Sequence, residues 1–135
     1  MKTLIDTNIL ISSILSQNST PFKAFVKAVT YPNQGMVCDQ NLDEQRRIIN
    51  RKFPQKVSAL DTFLASALLT LTVVPMSEEE SEAERHIRDV MDRPILRAAL
   101  SAEADILLTG DKDFLESPIT HPKIMTASDF LQYNS

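Results

Sequence analysis

Short runs of branched aliphatic residues alternate with amphipathic stretches along the whole chain, and that alternation leaves few folds open. The runs are Leu4-Ile5, Met36-Val-Cys38, Leu71-Thr-Val-Val74, Ala104 to Thr109 and Lys123-Ile-Met125. Each has the length and composition of a buried parallel strand. Helical spacing marks Thr7 to Leu15, Phe22 to Val29 behind Pro21, Gln40 to Lys52, Val57 to Leu71, and Arg93 to Ala102 with Pro94 in its first turn. A short helix starts at Thr126-Ala-Ser-Asp129. On Gln40 to Lys52 the predicted buried side is Leu42, Ile48, Ile49 and Phe53, and the acidic run Ser77 to Glu84 reads as the solvated first turns of a further helix. Strands alternating with helices imply an α/β fold, with a central parallel sheet of four to five strands covered by helices on both faces, α/β/α. With no internal repeat and no low-complexity linker, residues 1–135 read as a single domain.

Composition removes several classes of function. At 135 residues and 43% hydrophobic, the chain is long enough for a real core. A single cysteine, Cys38, excludes an intramolecular disulfide and leaves too few thiolates for a structural zinc site, which fits a reducing cytoplasm. No apolar stretch approaches the roughly 20 residues that span a bilayer, and no long apolar run follows Lys2, so the chain reads as soluble, unexported, cytoplasmic and without a membrane partner. A net charge of -4 argues against a wrapper of duplex nucleic acid. Two glycines cannot make a Gly-rich phosphate loop, which removes a nucleotide-binding Rossmann reading.

The acids carry the chemistry. Asp6 directly follows the first strand, and Asp111 and Asp113 follow the fourth past Thr109 and Gly110, where the glycine permits a tight turn. Ligands of open α/β sheets bind at this C-terminal strand edge. Asp6 is equally placed to cap the helix after it, with Thr7 and Asn8 fixing the corner. Glu44 borders the buried stripe of its helix, or pairs with Arg47. Asp92 stands where it can cap the helix at Arg93-Pro94, and Asp89 supports it or pairs with Arg85 or Arg93. One of Asp111 and Asp113 caps the helix containing Phe114, Asp113 being the candidate for that cap or for an outer supporting place. Taken together, Asp6, Glu44, Asp92 and Asp111 each stand at a strand end or on an adjacent helix. Carboxylates with few nitrogens or thiolates select Mg²⁺ or Mn²⁺ over zinc or copper.

These segments resemble the PIN-domain ribonucleases. Leu4-Ile-Asp6-Thr-Asn8-Ile-Leu is similar to the opening strand with the first metal-binding aspartate, and Leu42-Asp-Glu44-Gln-Arg-Arg-Ile-Ile to the segment carrying the helical glutamate. Arg88-Asp-Val-Met-Asp92-Arg-Pro-Ile-Leu and Asp105-Ile-Leu-Leu-Thr-Gly-Asp111-Lys-Asp-Phe-Leu resemble the remaining two motifs. The wording Thr-Gly-Asp-Lys-Asp-Phe-Leu is most like the toxins of bacterial toxin-antitoxin pairs.

The resemblance implies a PIN-like three-layer fold and a Mg²⁺- or Mn²⁺-dependent endoribonuclease acting on single-stranded RNA, with Asp6, Glu44, Asp92 and Asp111 as metal ligands. Asn8, Asp89, Thr109 and Asp113 would support them, and Lys112, Arg46, Arg47 and Arg93 are candidates for the phosphate backbone. It implies as partners a cognate antitoxin and a second copy in a homodimer. Two rivals stand beside this reading. One is a non-catalytic module of the same fold that binds RNA or protein, whose sign would be a lost acid. The other is a phosphotransfer protein with a phosphorylated strand-end aspartate, which would need paired acids after the first strand where this chain has Asp6 alone.

Overall fold

The computed structural model describes residues 1–16 and 18–133. In chain order its elements are β1 (Lys2–Ile5), α1 (Thr7–Leu15), α2 (Thr20–Val29), β2 (Gln34–Cys38), α3 (Asp39–Lys52), α4 (Val57–Ala67), β3 (Leu71–Val74), α5 (Arg93–Ser101), β4 (Ile106–Leu108), α6 (Lys112–Leu115), β5 (Lys123–Met125) and α7 (Ala127–Gln132), with 3₁₀ turns at Pro54–Lys56, Glu82–His86 and Val90–Asp92. The five strands form one parallel sheet in the order β3-β2-β1-β4-β5. The chain therefore builds outward from β1 through β2 and β3, then crosses back to lay β4 and β5 on the other side. The direction reverses between β1 and β4, which is where such sheets open a crevice at the strand C-termini.

Successive side chains of a strand point to opposite faces, and both faces here are apolar. Ile5, Val37, Ile106 and Leu108 pack with residues of α1, α2, α3, α4 and α7, including Leu10, Phe25, Leu64 and Phe130. Leu4, Met36, Cys38 and Leu107 pack on the other side with α5 and α6 through Ile95, Leu96, Ala99 and Phe114. The expected three-layer α/β/α arrangement is the one observed. Gly35 is a place of close approach: a Cβ there would lie 2.9 Å from Val29 Cγ1 and 3.0 Å from Leu71 Cδ2. After α5, Glu103 adopts φ 56°. Glu103 N–H donates to Leu100 O at 3.2 Å and Ala104 N–H to Ala99 O at 2.9 Å, a Schellman closure that turns the chain into β4.

Three local expectations fail for identifiable reasons. Helix α4 stops at Ala67, short of the predicted Leu71, which belongs to β3 alone. Phe53 is 44% exposed instead of buried, because α3 ends at Lys52 and Phe53 leaves it at φ −135°, ψ 61° ahead of Pro54; Ile48 is half-buried. The acidic run does not form helical first turns. No apolar residue lies between Met76 and Ala83 to hold it on the sheet, and only the 3₁₀ turn Glu82–His86 forms, capped by Ser81. Among the described residues, no helix is long and apolar enough to cross a membrane.

Candidate metal and active site

The crevice between β1 and β4 begins with a hydrogen-bond relay that joins the two strand ends. Asp6 emerges from β1 only 3% exposed. Its Oδ1 accepts from Asn8 N–H at 3.3 Å, capping α1, and its Oδ2 accepts from the Thr109 hydroxyl at 2.8 Å. Thr109 Oγ1 in turn accepts from Asp111 N–H at 3.0 Å. Capping and ligation are both open to a carboxylate, since each oxygen has more than one acceptor direction.

Which acid caps α6 is the reverse of the expectation. Asp111 is the N-cap, its Oδ1 accepting from Asp113 N–H at 2.9 Å. Asp113 is instead held by Arg88, whose Nη2 and Nε donate to Asp113 Oδ1 at 2.7 and 3.2 Å. Asp92 does not cap α5 as expected; its side chain makes no cap bond there. Asp89 pairs with neither Arg85 nor Arg93, and caps the turn Val90–Asp92 by accepting from Met91 N–H at 2.9 Å. Gly110 is not required for its turn. No glycine has positive φ, and a Cβ at Gly110 would meet nothing within 4 Å.

Asp89, Asp92 and Asp113 each offer an oxygen within 4.8 Å of the others, the one such group among the described residues. The four acids singled out in the sequence are not that tight a set, but three of them are coupled by charge. Burial, followed by a hydrogen bond to Asp111 and the charges of Asp111, Asp89 and Asp6, pushes the Asp92 carboxyl up to about 7. Burial is also the largest influence on Asp6, raised to about 6, with Thr109 and Asn8 opposing it and Asp111 and Glu44 adding to it. Glu44, half-buried on α3, acts on Asp6 more weakly than Asp111 does and is the outlying member. It is not taken by Arg47, whose Nε reaches the Asp43 carbonyl at 3.5 Å.

None of Asp6, Glu44, Asp92 and Asp111 is ion-paired among the described residues. One buried and three half-buried acids without a protein cation among the described residues, offering only oxygen, suit a hard divalent ion, and Mg²⁺ or Mn²⁺ fits this donor set. Asn8, two residues beyond Asp6, adds a buried Oδ1 with no hydrogen-bond partner.

A pH dependence follows with a definite sign. Asp6 and Asp92 titrate higher in the folded chain than the ordinary 3.8, so their contribution to stability is complete below about pH 4 and is lost as pH rises through 6 and 7. For buried Asp6 the loss is about 3 kcal/mol. Urea unfolding with chelator present should show lower stability at pH 7.5 than at pH 5, and Asp92→Asn should flatten that slope; an equally steep slope in the variant would refute the assignment.

Sequence reasoning missed three groups. Asn41 is 7% exposed, and its Oδ1 accepts both the Thr7 N–H, at 2.8 Å, and the Thr7 hydroxyl, which pins the start of α1 to the start of α3. Glu84, read as part of a solvated face, is 4% exposed and forms a two-pronged pair with Arg97, Nε to Oε2 and Nη2 to Oε1, each 2.7 Å. Arg88 faces the acids through Asp113. Of the cations expected to hold phosphate, Arg46 pairs with Asp61 at 3.0 Å, and Arg93 Nε donates to Ile87 O at 3.1 Å.

The PIN domain family profile matches residues 2–113. The chain belongs to the PIN domain family. A chain of the crystal structure of VapBC2 from Rickettsia felis, bound to a DNA fragment from their promoter, is similar to this PIN domain at a TM-score of 0.69 and 17% identity, over 93% of this chain and 98% of that one. At that identity the likeness is one of fold. No curated protein matches the chain.

Proposed function

We propose that this PIN domain is a Mg²⁺- or Mn²⁺-dependent endoribonuclease that cleaves single-stranded RNA, and that it is the toxin of a bacterial toxin-antitoxin pair. The observation that carries the reading is the set Asp6, Asp92 and Asp111, which has no ion pair among the described residues and whose charges act on one another, at the point where the strand order reverses. Asp6, Asp92 and Asp111 would hold the ion, with Glu44 completing its surroundings from α3. Bound there, the ion would supply an activated water for in-line attack on the phosphodiester and neutralise charge on the leaving oxygen. Thr109 fixes the Asp6 carboxylate through its hydroxyl, and Asp89 and Asp113 flank Asp92. Asn41 secures the helix start on which Asp6 turns.

The toxin assignment draws on the family, on the wording Thr109-Gly-Asp-Lys-Asp-Phe-Leu115, and on the fold shared with a chain of VapBC2. It carries with it a cognate antitoxin, a homodimer and a place in the cytoplasm. Purified protein incubated with end-labelled single-stranded RNA should cut it when Mg²⁺ or Mn²⁺ is supplied, stop in chelator, and resume when the ion is restored. Cleavage that continues in excess chelator would reject the metal mechanism, and no cleavage of any RNA with either ion would reject the enzyme.

A further inference from the structure

The acids are approached by a second, differently charged feature that no part of the proposed chemistry uses. A cavity of about 530 Å³ opens beside the turn Val90–Asp92, lined by the carboxylates Glu80, Glu82 and Glu84, the guanidinium groups of Arg85, Arg93 and Arg97, and Val90 among others. The local geometry explains its position. In a 3₁₀ turn, residues three apart lie over one another. Asp89 and Asp92 therefore share one side of the turn, and Val90 and Arg93 share another. The first side joins the carboxylate group with Asp113, and the second lines the cavity. One turn thus separates a group made of carboxylates alone from a cavity whose lining carries arginines beside its glutamates.

The charges of this cavity are unequally used: Glu80 and Glu84 both face Arg97, and Glu82 is exposed with no ion pair among the described residues. Glu84 and Arg97 satisfy one another through two bonds of 2.7 Å beneath it, and Glu80 lies 3.6 Å from Arg97. Arg93 is oriented by its Nε bond to Ile87 O, which leaves both terminal nitrogens of its guanidinium without a protein partner among the described residues. Arg85 is exposed and forms no ion pair among the described residues. Val90, 60% exposed, supplies an apolar surface next to these two arginines. Two unpaired guanidinium groups beside an apolar wall match the two ends of a nucleotide, a phosphate that takes paired N–H donors and a base with a flat apolar face.

We propose that this cavity is a nucleotide subsite, in which Arg85 and Arg93 hold the phosphate of the RNA residue adjoining the scissile bond and Val90 lies against its base. The proposal rests on the ribonuclease reading for its substrate, and it adds a place where the strand is gripped apart from where it is cut. In a chain of net charge -4 such a grip is local: it rests on two guanidinium groups across the turn from the acidic centre.

Binding of a fluorescein-labelled ten-nucleotide single-stranded RNA of random sequence tests this in the Asp111→Asn background, where strand scission does not interfere. Adding Arg85→Gln and Arg93→Gln together should weaken binding about tenfold and make the dependence of log K on log salt shallower by about 1.4, the share of two phosphate contacts on a single strand. Arg85→Gln alone removes an exposed side chain that makes no hydrogen bond or ion pair among the described residues, and should give about half that change in slope with an unaltered thermal melt. Lys56→Gln, on the start of α4, should leave both quantities unchanged. Binding and salt slope that are the same in the double arginine variant as in Lys56→Gln would overturn the subsite and leave the ribonuclease reading standing. Absence of RNA binding in the Asp111→Asn protein would also overturn it, and wild-type cleavage measured in parallel then decides whether the ribonuclease reading falls with it.

Discussion

Asp111→Asn is expected to lower RNA cleavage about a thousandfold or more while the protein folds as before, because a metal-assisted step draws several kcal/mol from the charge of its ligands. Asparagine is as good an N-cap as aspartate. The bond from Asp113 N–H to position 111 therefore survives the change, along with α6. What disappears is one negative charge facing Asp92, and with it the hydrogen bond through which a protonated Asp92 leans on Asp111. Asp6→Asn should behave alike: the amide oxygen can still accept from Asn8 N–H, while the NH2 that replaces the other oxygen can donate to the Thr109 hydroxyl oxygen in place of the bond it now gives. Asp113→Asn should reduce cleavage much less. Arg88 already neutralises Asp113 at 2.7 Å, so the carboxylate that is removed is one that a cation has in part satisfied. Initial rates on single-stranded RNA, set beside a thermal melt of each variant, measure all three; equal rates in Asp111→Asn and wild type would remove Asp111 from the chemistry.

A second large effect concerns stability and lies away from the acids. Arg97→Met should lower the melting temperature by roughly 10 °C at neutral pH, because it leaves the largely buried Glu84 carboxylate without its cation. The Glu84 side chain is 5% exposed and that of Arg97 17%, so solvent screens the pair poorly. Arg97→Lys should fall between, as an ammonium cannot reproduce the two parallel bonds. Arg97 holds the Glu84 carboxyl at about 2, below the ordinary 4.5. The contribution of the pair is therefore complete above pH 4.5 and is lost as pH falls toward 2, so the deficit of Arg97→Met relative to wild type should narrow in acid. A melting temperature unchanged at pH 7 would show that the pair is not a stabilising one.

The parallel sheet could be read from the chain because period-two burial on both faces leaves nearly continuous apolar runs, as at Leu4-Ile5 and Ile106-Leu-Leu108. Asp6 and Asp111 were legible for the same reason, since a polar residue directly after such a run, as Asp6 is, or within one turn of it, as Asp111 is, stands at the C-terminal edge of the sheet. What the chain does not display is how each acid divides its oxygens. Asp111 and Asp113 are both correctly spaced to cap α6, and the choice was made by Arg88, which lies 25 residues away and draws Asp113 outward. Glu84 was misread because its partner Arg97 sits on α5 while Glu84 sits in a turn with no helical periodicity. Asn41 lies in the polar stretch Asp39-Gln-Asn41, where only the fold discloses that Thr7 is opposite. Mutual repulsion among acids is one cause of raised carboxyl groups. Burial proves the larger influence at both Asp6 and Asp92, because the relay of Thr109 and Asn8 holds Asp6 beneath the surface.

The central claim is that these acids form one ion site, and calorimetric titration of the metal-free protein with Mn²⁺ at pH 6.5 and pH 8.5 addresses it without reference to any RNA. Wild type should bind Mn²⁺ and release protons at pH 6.5, where Asp92, held near 7, is largely protonated, and release fewer at pH 8.5, where it is already ionised. Asp6→Asn and Asp92→Asn should each weaken binding at least tenfold, and Asp92→Asn should abolish most of the pH dependence of proton release. Binding of equal affinity in all three proteins, or no binding in the wild type, would contradict a metal centre built from Asp6, Asp92 and Asp111.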